Sequence, residues 1–265
     1  MPKLIRYLIK NELILGILIF TLSFAIRSIK ISDNLFFGFE QGRDAQIIEN
    51  IYKLQDFVLA GPTTSIGGIF HGPWYYYLMA IPYGLSGGNP LAASFFLVLL
   101  GSLVPVVMYF LGKEIFKSKW WGLVVAILSV FSYENIQYSR WLSNVSPAPL
   151  FIALSFLMLW KFIITKKQKF FLLCAVFASF ASLFELLLLP EFIFLCILLS
   201  IFKQLKDLSI KMLFGVFVIA LIIFSPLIIF DYRNEHIIFN SIISLAGASS
   251  GGGLNGIKIG LGIYI

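Results

Sequence analysis

Seven apolar runs constrain this chain more than any other feature, at residues 12–29, 91–111, 120–133, 149–164, 170–185, 186–202 and 212–230. A stretch of about 20 apolar residues is what a bilayer core asks of a crossing helix. An ordinary soluble core does not accommodate a composition that is 59% hydrophobic with 28 phenylalanines. The chain therefore reads as all-α, a polytopic membrane helix bundle of about seven spans, with residues 1–265 forming a single transmembrane module. Several runs are shorter than 20 residues and are expected to extend into their flanks. Residues 170–202 are too long for one crossing, and Pro190 with Glu191 marks the natural break, since proline interrupts a helix and a carboxylate is disfavoured in lipid. Glu185 and Glu191 are expected to be exposed loop acids beside it. The basic start followed by an apolar run, without a small-residue cleavage site, reads as an uncleaved first span.

Lysine placement orients the bundle. The ambiguous piece is 74–86, WYYYLMAIPYGLS, short and interrupted by Pro82 and Gly84. If it does not cross, the clusters Lys3/Arg6/Lys10, Lys113/Lys117/Lys119, Lys161/Lys166/Lys167/Lys169 and Lys203/Lys206/Lys211 all share one side, thirteen of the 20 basic residues. The positive-inside rule makes that side the cytoplasm and 74–86 a juxtamembrane or re-entrant helix on the outer face. The net charge of +7 then follows from lysines flanking spans, and nucleic-acid binding is not expected.

The opposite face collects ten of the 13 acids and four of the five arginines, Arg27, Arg43, Arg140 and Arg233. Arginine's planar fork suits phosphate or carboxylate, so the asymmetry points to an anionic ligand outside, with pairing to nearby acids as the plain alternative. Polar chemistry concentrates in residues 36–73, inside an extracytoplasmic loop spanning 30–90. There Ile47, Ile48, Ile51, Leu54 and Val58 take the spacing of one helical face, as in a helix lying on a membrane surface. Gly42 is read as its entrance, with Glu40, Arg43 and Asp44 around a first turn whose N–H groups can receive an anion. Trp74, Tyr75, Tyr76 and Tyr77 read first as an interfacial aromatic belt, ahead of sugar stacking.

Cys174 and Cys196 lie in apolar runs and form no disulfide framework. No CxxC, HExxH or Gly-rich phosphate loop occurs, which removes support for zinc hydrolases and P-loop enzymes. No metal and no cofactor are expected. Residues 246–256, AGASSGGGLNG, read as a flexible outer loop. Residues 257–265 read as the opening of a further span that stops too soon to cross, so the chain reads as the N-terminal part of something longer.

Three outer segments place polar groups beside aromatics: FEQGRD with IFHGPWYYY, YENIQYSRWLSNVSP, and FDYRNEHIIFN. Together they resemble, along essentially the whole chain, the membrane-embedded GT-C glycosyltransferases that use polyprenyl-phosphate sugars. Specifically, they resemble the branch of protein O-mannosyltransferases and lipid A aminoarabinose transferases. In that resemblance Glu40 to Asp44 is the acidic motif opening a juxtamembrane helix, His71 to Tyr75 opens a second one, and Arg140 to Asn144 is the second outer loop. Glutamate replaces the usual aspartate at 40, Asn144 stands where an acid is common, which weakens a metal site, and basic residues beside the proline are missing.

The resemblance implies an inverting transfer from a polyprenyl-phosphate-linked sugar donor to a hydroxyl of an acceptor protein, lipid or glycan. The active face would be the extracytoplasmic side of the cell membrane, among membrane lipids. It implies Glu40 as general base and Asp44 as its supporting carboxylate, four residues on, where mutual repulsion would raise one pKa unless Arg43 offsets it. Arg43, with Arg140 or Arg233, would hold the phosphate, and His71, Tyr75 and Asn144 would contact substrate. A transporter or flippase of lipid-linked glycans is the rival expectation; it should carry charged groups along its spans.

Overall fold

A computed structural model describes residues 11–188, 190–203 and 205–250. Its regular structure is helical throughout these residues, with one isolated antiparallel bridge between Thr63 and Phe70. The apolar runs become α1 (Glu12–Ser28), α4 (Pro90–Phe116), α5 (Lys119–Val130), α7 (Ala148–Thr165), α8 (Gln168–Phe184), α9 (Pro190–Ile201) and α10 (Ile210–Arg233). Between α1 and α4 lie α2 (Phe39–Tyr52) and α3 (Trp74–Ser86); α6 (Tyr133–Tyr138) precedes α7, and α11 (Ile237–Ser250) follows α10. Three of these, α4, α7 and α10, are long and apolar enough to cross a membrane. The expected extension into the flanks does not occur elsewhere: α1 and α8 have 17 residues each, α5 and α9 12 each.

Local chemistry sets these boundaries. Asn11, Asn89 and Ser209 accept from the first free amides of α1, α4 and α10, and Pro90 occupies the first turn of α4, where no amide is needed. Close approach sets the packing of α4 on α5: a Cβ at Gly122 would sit 2.7 Å from the Tyr109 carbonyl, so only glycine lets the two backbones meet.

The polar groups sort to the two ends of the bundle. α1 runs antiparallel to α4, with Leu15 and Ile19 against Tyr109, and its Glu12 takes both Lys113 and Lys119 at 2.9 Å. α7 runs parallel to α4, since Ala148 joins Ala93 and Leu97 while Leu157 joins Val104 and Val107. The ends at Phe116 and Thr165 thus coincide, and Lys166 pairs with Asp207 there at 2.7 Å. Three acids stand apart from the ten assigned to the outer face; Glu12, Glu114 and Asp207 all pair with lysines at this end. Lys3, Arg6 and Lys10 lie outside the described residues.

At the other end, α1 finishes and α4 begins, so the whole 30–90 loop leaves and re-enters the bundle on one side. Its α3, 13 residues or about 20 Å, is too short for a bilayer core of about 30 Å. Pro82 does not break it. Tyr75, Tyr76, Met79 and Tyr83 of α3 bury against Ile48 and Ile51 of α2. Where water is the alternative, each such large apolar side chain stabilises by about 1.5–3 kcal/mol. The α2 helix stops at Tyr52, earlier than the apolar spacing predicts, and Leu54 is exposed beyond it with φ +56°. Residues 246–250, expected to open a flexible loop, are the last turn of α11; the remainder of that loop and residues 257–265 lie outside the described residues.

Candidate active site

The first element of the site is the opening of α2. Gly38, in an extended conformation, precedes the helix; the Gln41 carbonyl accepts from the Gly38 amide at 3.1 Å, and the Gln41 amide donates to the Leu142 carbonyl at 3.3 Å. This one side chain caps α2 and ties it to the segment between α6 and α7. Gly42 is accordingly inside the helix and not its entrance, and Arg43 and Asp44 fall in the second turn. Glu40, in the first turn, is exposed.

Asp44 is buried, 7% exposed, and does not cap the helix. Its Oδ1 accepts from Arg43 Nε at 3.0 Å, Arg43 Nη2 at 2.8 Å and the Tyr76 hydroxyl at 3.0 Å. Among the described residues Oδ2 receives no bond. Burial pushes the carboxyl above its ordinary value, the Arg43 and Tyr76 bonds pull it down, and Glu40 one turn away adds to the rise. Burial likewise raises Tyr76, keeping its hydroxyl a donor. The shift of the buried carboxylate thus comes first from burial, with Arg43 opposing it and Glu40 the smallest contributor.

The second element is the loop before α3. His71 and Gly61 face each other in a short antiparallel turn: Gly61 N–H donates to the His71 carbonyl and His71 N–H to the Pro62 carbonyl, both at 2.9 Å. The Gly72 amide donates to the Leu183 carbonyl at 2.8 Å, and a Cβ on Gly72 would meet Leu183 Cβ at 2.7 Å, so the loop sits directly on the end of α8. His71 is buried, and its Nδ1 has no hydrogen-bond partner among the described residues; burial lowers its pKa from 6.5, opposed by Glu185. Phe70 packs edge-on to Phe230 at 5.0 Å, and Trp74 Nε1 donates to the Ile223 carbonyl at 2.9 Å, which brings the end of α10 to the same loop.

The third element joins α5, α6 and α7. Arg140 donates Nε to the Arg27 carbonyl at 2.8 Å and Nη2 to the Ile26 carbonyl at 2.9 Å, satisfying the carbonyls that end α1. Arg27 itself is fully buried, donating to Ser23 Oγ at 2.7 Å and to the Val130 and Ser129 carbonyls at the end of α5. Beside Arg140 opens a cavity of 340 Å³, lined by Asn34, Phe36, Glu134, Gln137, Tyr138, Arg140 and Trp141. Asn144 is buried and donates to the Phe184 carbonyl at 2.6 Å, so it fastens this segment to α8.

Of the residues singled out from sequence, the fold joins Arg43 to Asp44 and keeps Glu40 beside them on one helix. No hydrogen bond or ion pair among the described residues joins Arg140 or Arg233 to Arg43. Arg233 is exposed in the last turn of α10. Tyr75 is 2% exposed in the α2–α3 core and belongs to neither an outer belt nor an open surface. Sequence reasoning passed over Gln41 and Tyr76; within three consecutive tyrosines only packing selects the one that meets Asp44. Glu191 is not an exposed loop acid but is buried, accepting from Ser155 at 2.5 Å.

Comparison with known proteins agrees with the sequence resemblance. A protein of Aquifex aeolicus (strain VF5), described as an uncharacterized protein, is 34% identical over 107 residues, 40% of this chain and 21% of that protein. The chain thus aligns with about a fifth of that relative's length. No solved structure matches. A family model described as dolichyl-phosphate-mannose-protein mannosyltransferase matches residues 66–238, which takes in the loop at His71, α3, the cavity segment and α10, and begins after Glu40 and Asp44. With well over half of its residues inside that match, the chain belongs to the dolichyl-phosphate-mannose-protein mannosyltransferase family.

Proposed function

We propose that this protein belongs to an inverting glycosyltransferase of the cell membrane that moves a sugar from a polyprenyl-phosphate donor to an acceptor hydroxyl. It crosses the membrane seven times, with α4, α7 and α10 as its longest spans, and the Glu40 end faces the extracytoplasmic side. The gathering of Lys113, Lys119 and Lys166 at the opposite end, away from Arg27, Arg43, Arg140 and Arg233, supports that orientation.

One observation carries the reading: an exposed carboxylate, Glu40, stands one helical turn from a guanidinium that a buried carboxylate holds in place. An acceptor hydroxyl is a weak nucleophile. Glu40 takes its proton as the oxygen attacks the anomeric carbon from the face opposite the phosphate. The bond from that carbon to the phosphate oxygen breaks, and the phosphate leaves with the electron pair. Phosphate is a good leaving group, so cations matter more here than a general acid. Arg43, half-buried and fixed by Asp44, which Tyr76 holds in turn, supplies one cation; Arg233, exposed at the same end, is available as another.

The decisive measurement is turnover of a polyprenyl-phosphate sugar by the purified full-length protein, with and without Glu40→Gln. Transfer that depends on Glu40 supports the reading. Movement of a lipid-linked glycan across vesicles with no sugar transfer would instead make the protein a flippase.

A further inference from the structure

The cavity beside Arg140 lies outside the Glu40–Asp44–Arg43 cluster and is built from different chemistry. Its volume of 340 Å³ is at the small end of ligand pockets, about 300–1,000 Å³. That is room for a sugar of one or two rings. Trp141 and Tyr138, 41% and 39% exposed, lie with ring centroids 6.2 Å apart and tilted by 52°, which gives an open aromatic surface. Around it stand side chains with hydrogen-bonding capacity to spare. Asn34 spends its amide on the Lys30 carbonyl and keeps its Oδ1, while Gln137 and Glu134 make no side-chain bond among the described residues. Arg140 has two of its three nitrogens on the carbonyls of Ile26 and Arg27 and keeps Nη1.

This mixture selects among ligands. A phosphate would meet the Glu134 carboxylate in the same cavity, and Arg140 is largely committed to backbone. An apolar chain would leave Asn34, Glu134 and Gln137 desolvated without partners, which is costly. A pyranose matches both halves, because its C–H face covers an aromatic ring while its hydroxyls both donate and accept around the edge.

Position suggests which sugar. Phe36 lines the cavity and lies three residues before α2, and Gln41 in the first turn of α2 is bonded to Leu142, next to Trp141. A ring seated on Trp141 therefore lies beside the turn that carries Glu40. We propose that this cavity is a saccharide subsite filled by a sugar that the acceptor carries. The proposal rests on the transferase reading above for its role and on the cavity alone for its binding.

The test uses the full chain in lipid nanodiscs and saturation-transfer NMR with methyl α-mannopyranoside as probe. Expected is saturation transfer to the ring protons that weakens about 10-fold in apparent affinity in Trp141→Ala. Gln137→Ala should weaken it as well; this residue is exposed on α6, so its loss does not disturb the core. Addition of farnesyl-phosphoryl mannose should leave the signal in place, since donor and acceptor sit in separate sites. No saturation transfer, or transfer indifferent to both variants, overturns the subsite. Displacement of the probe by the farnesyl donor overturns the acceptor assignment. Probe binding in a protein that fails to turn over donor supports the subsite while the transferase reading falls. Turnover with a peptide hydroxyl but no probe binding does the reverse.

Discussion

The Tyr76 hydroxyl meets Asp44 Oδ1 at 3.0 Å, joining α3 to α2 at the only carboxylate buried within the 30–90 loop. A hydrogen bond to a charged group contributes about 1.5–3 kcal/mol. Tyr76→Phe should therefore lower the stability of the detergent-solubilised protein, followed through its thermal midpoint, by an amount near the lower figure, because Arg43 still satisfies the carboxylate. Tyr75→Phe, whose hydroxyl makes no bond among the described residues, should stay within about 0.5 kcal/mol of wild type. Equal losses for the two variants would remove Tyr76 from the cluster.

Glu40→Gln keeps shape and removes the base, so turnover should fall by roughly 10² to 10⁴ while donor binding persists. Glu40→Asp should keep part of the activity, since aspartate is the commoner residue in the families that the motif resembles. Normal turnover in Glu40→Gln together with none in Asp44→Asn would transfer the base role to Asp44, whose Oδ2 is the free oxygen.

Arg43→Lys tests the cation. A lysine cannot place two nitrogens on Asp44 as Nε and Nη2 do at 3.0 and 2.8 Å, so its charge is no longer held in position. Donor affinity measured by titration of farnesyl phosphate should drop about 10-fold or more. An unchanged affinity, with reduced thermal stability, would leave Arg43 as a structural partner of Asp44 alone.

His71 gives the pH prediction. Burial holds its imidazole below 6.5, with Glu185 opposing. The unfolded chain takes up a proton near 6.5, whereas the folded protein does so only at lower pH. The stability it contributes is thus intact above 6.5 and lost as pH falls through the folded value. Thermal midpoints should decline below pH 6.5 in wild type and decline less in His71→Gln. Parallel curves for the two proteins would rule out His71 as the source of the acid loss.

Sidedness is open to cysteine labelling. With a membrane-impermeant maleimide added from outside, cysteines at Ser65 and Ser143 should react and one at Ser118 should not. Ser65 is exposed in the loop before His71, Ser143 lies two residues after Trp141, and Ser118 immediately precedes α5 among the lysines. Labelling at Ser118 from outside would invert the bundle.

Much of this architecture is legible in one dimension, because a bilayer asks only for length and apolarity and leaves its mark as runs and lysines. Every predicted run contains a helix among the described residues, the piece at 74–86 stays on one side, and the acids left over from the outer face all pair with lysines. The acidic motif, too, is visible as the polar interruption of an apolar chain. Its internal arrangement is not. Glu40 and Asp44 are equivalent carboxylates on one helical face in sequence, and only the packing of α3 on α2 buries one and exposes the other. Tyr75 and Tyr76 are adjacent and chemically identical, and both rings are buried; a 100° step around the helix brings only the Tyr76 hydroxyl to Asp44. Arg140 and Asn144 look like ligand-binding residues because their side chains suit ligands, yet the carbonyls they bond belong to Ile26, Arg27 and Phe184, between 40 and 114 residues away. Which polar groups the fold consumes and which it leaves for a substrate depends on where helix ends meet, and that is a property of the tertiary structure alone.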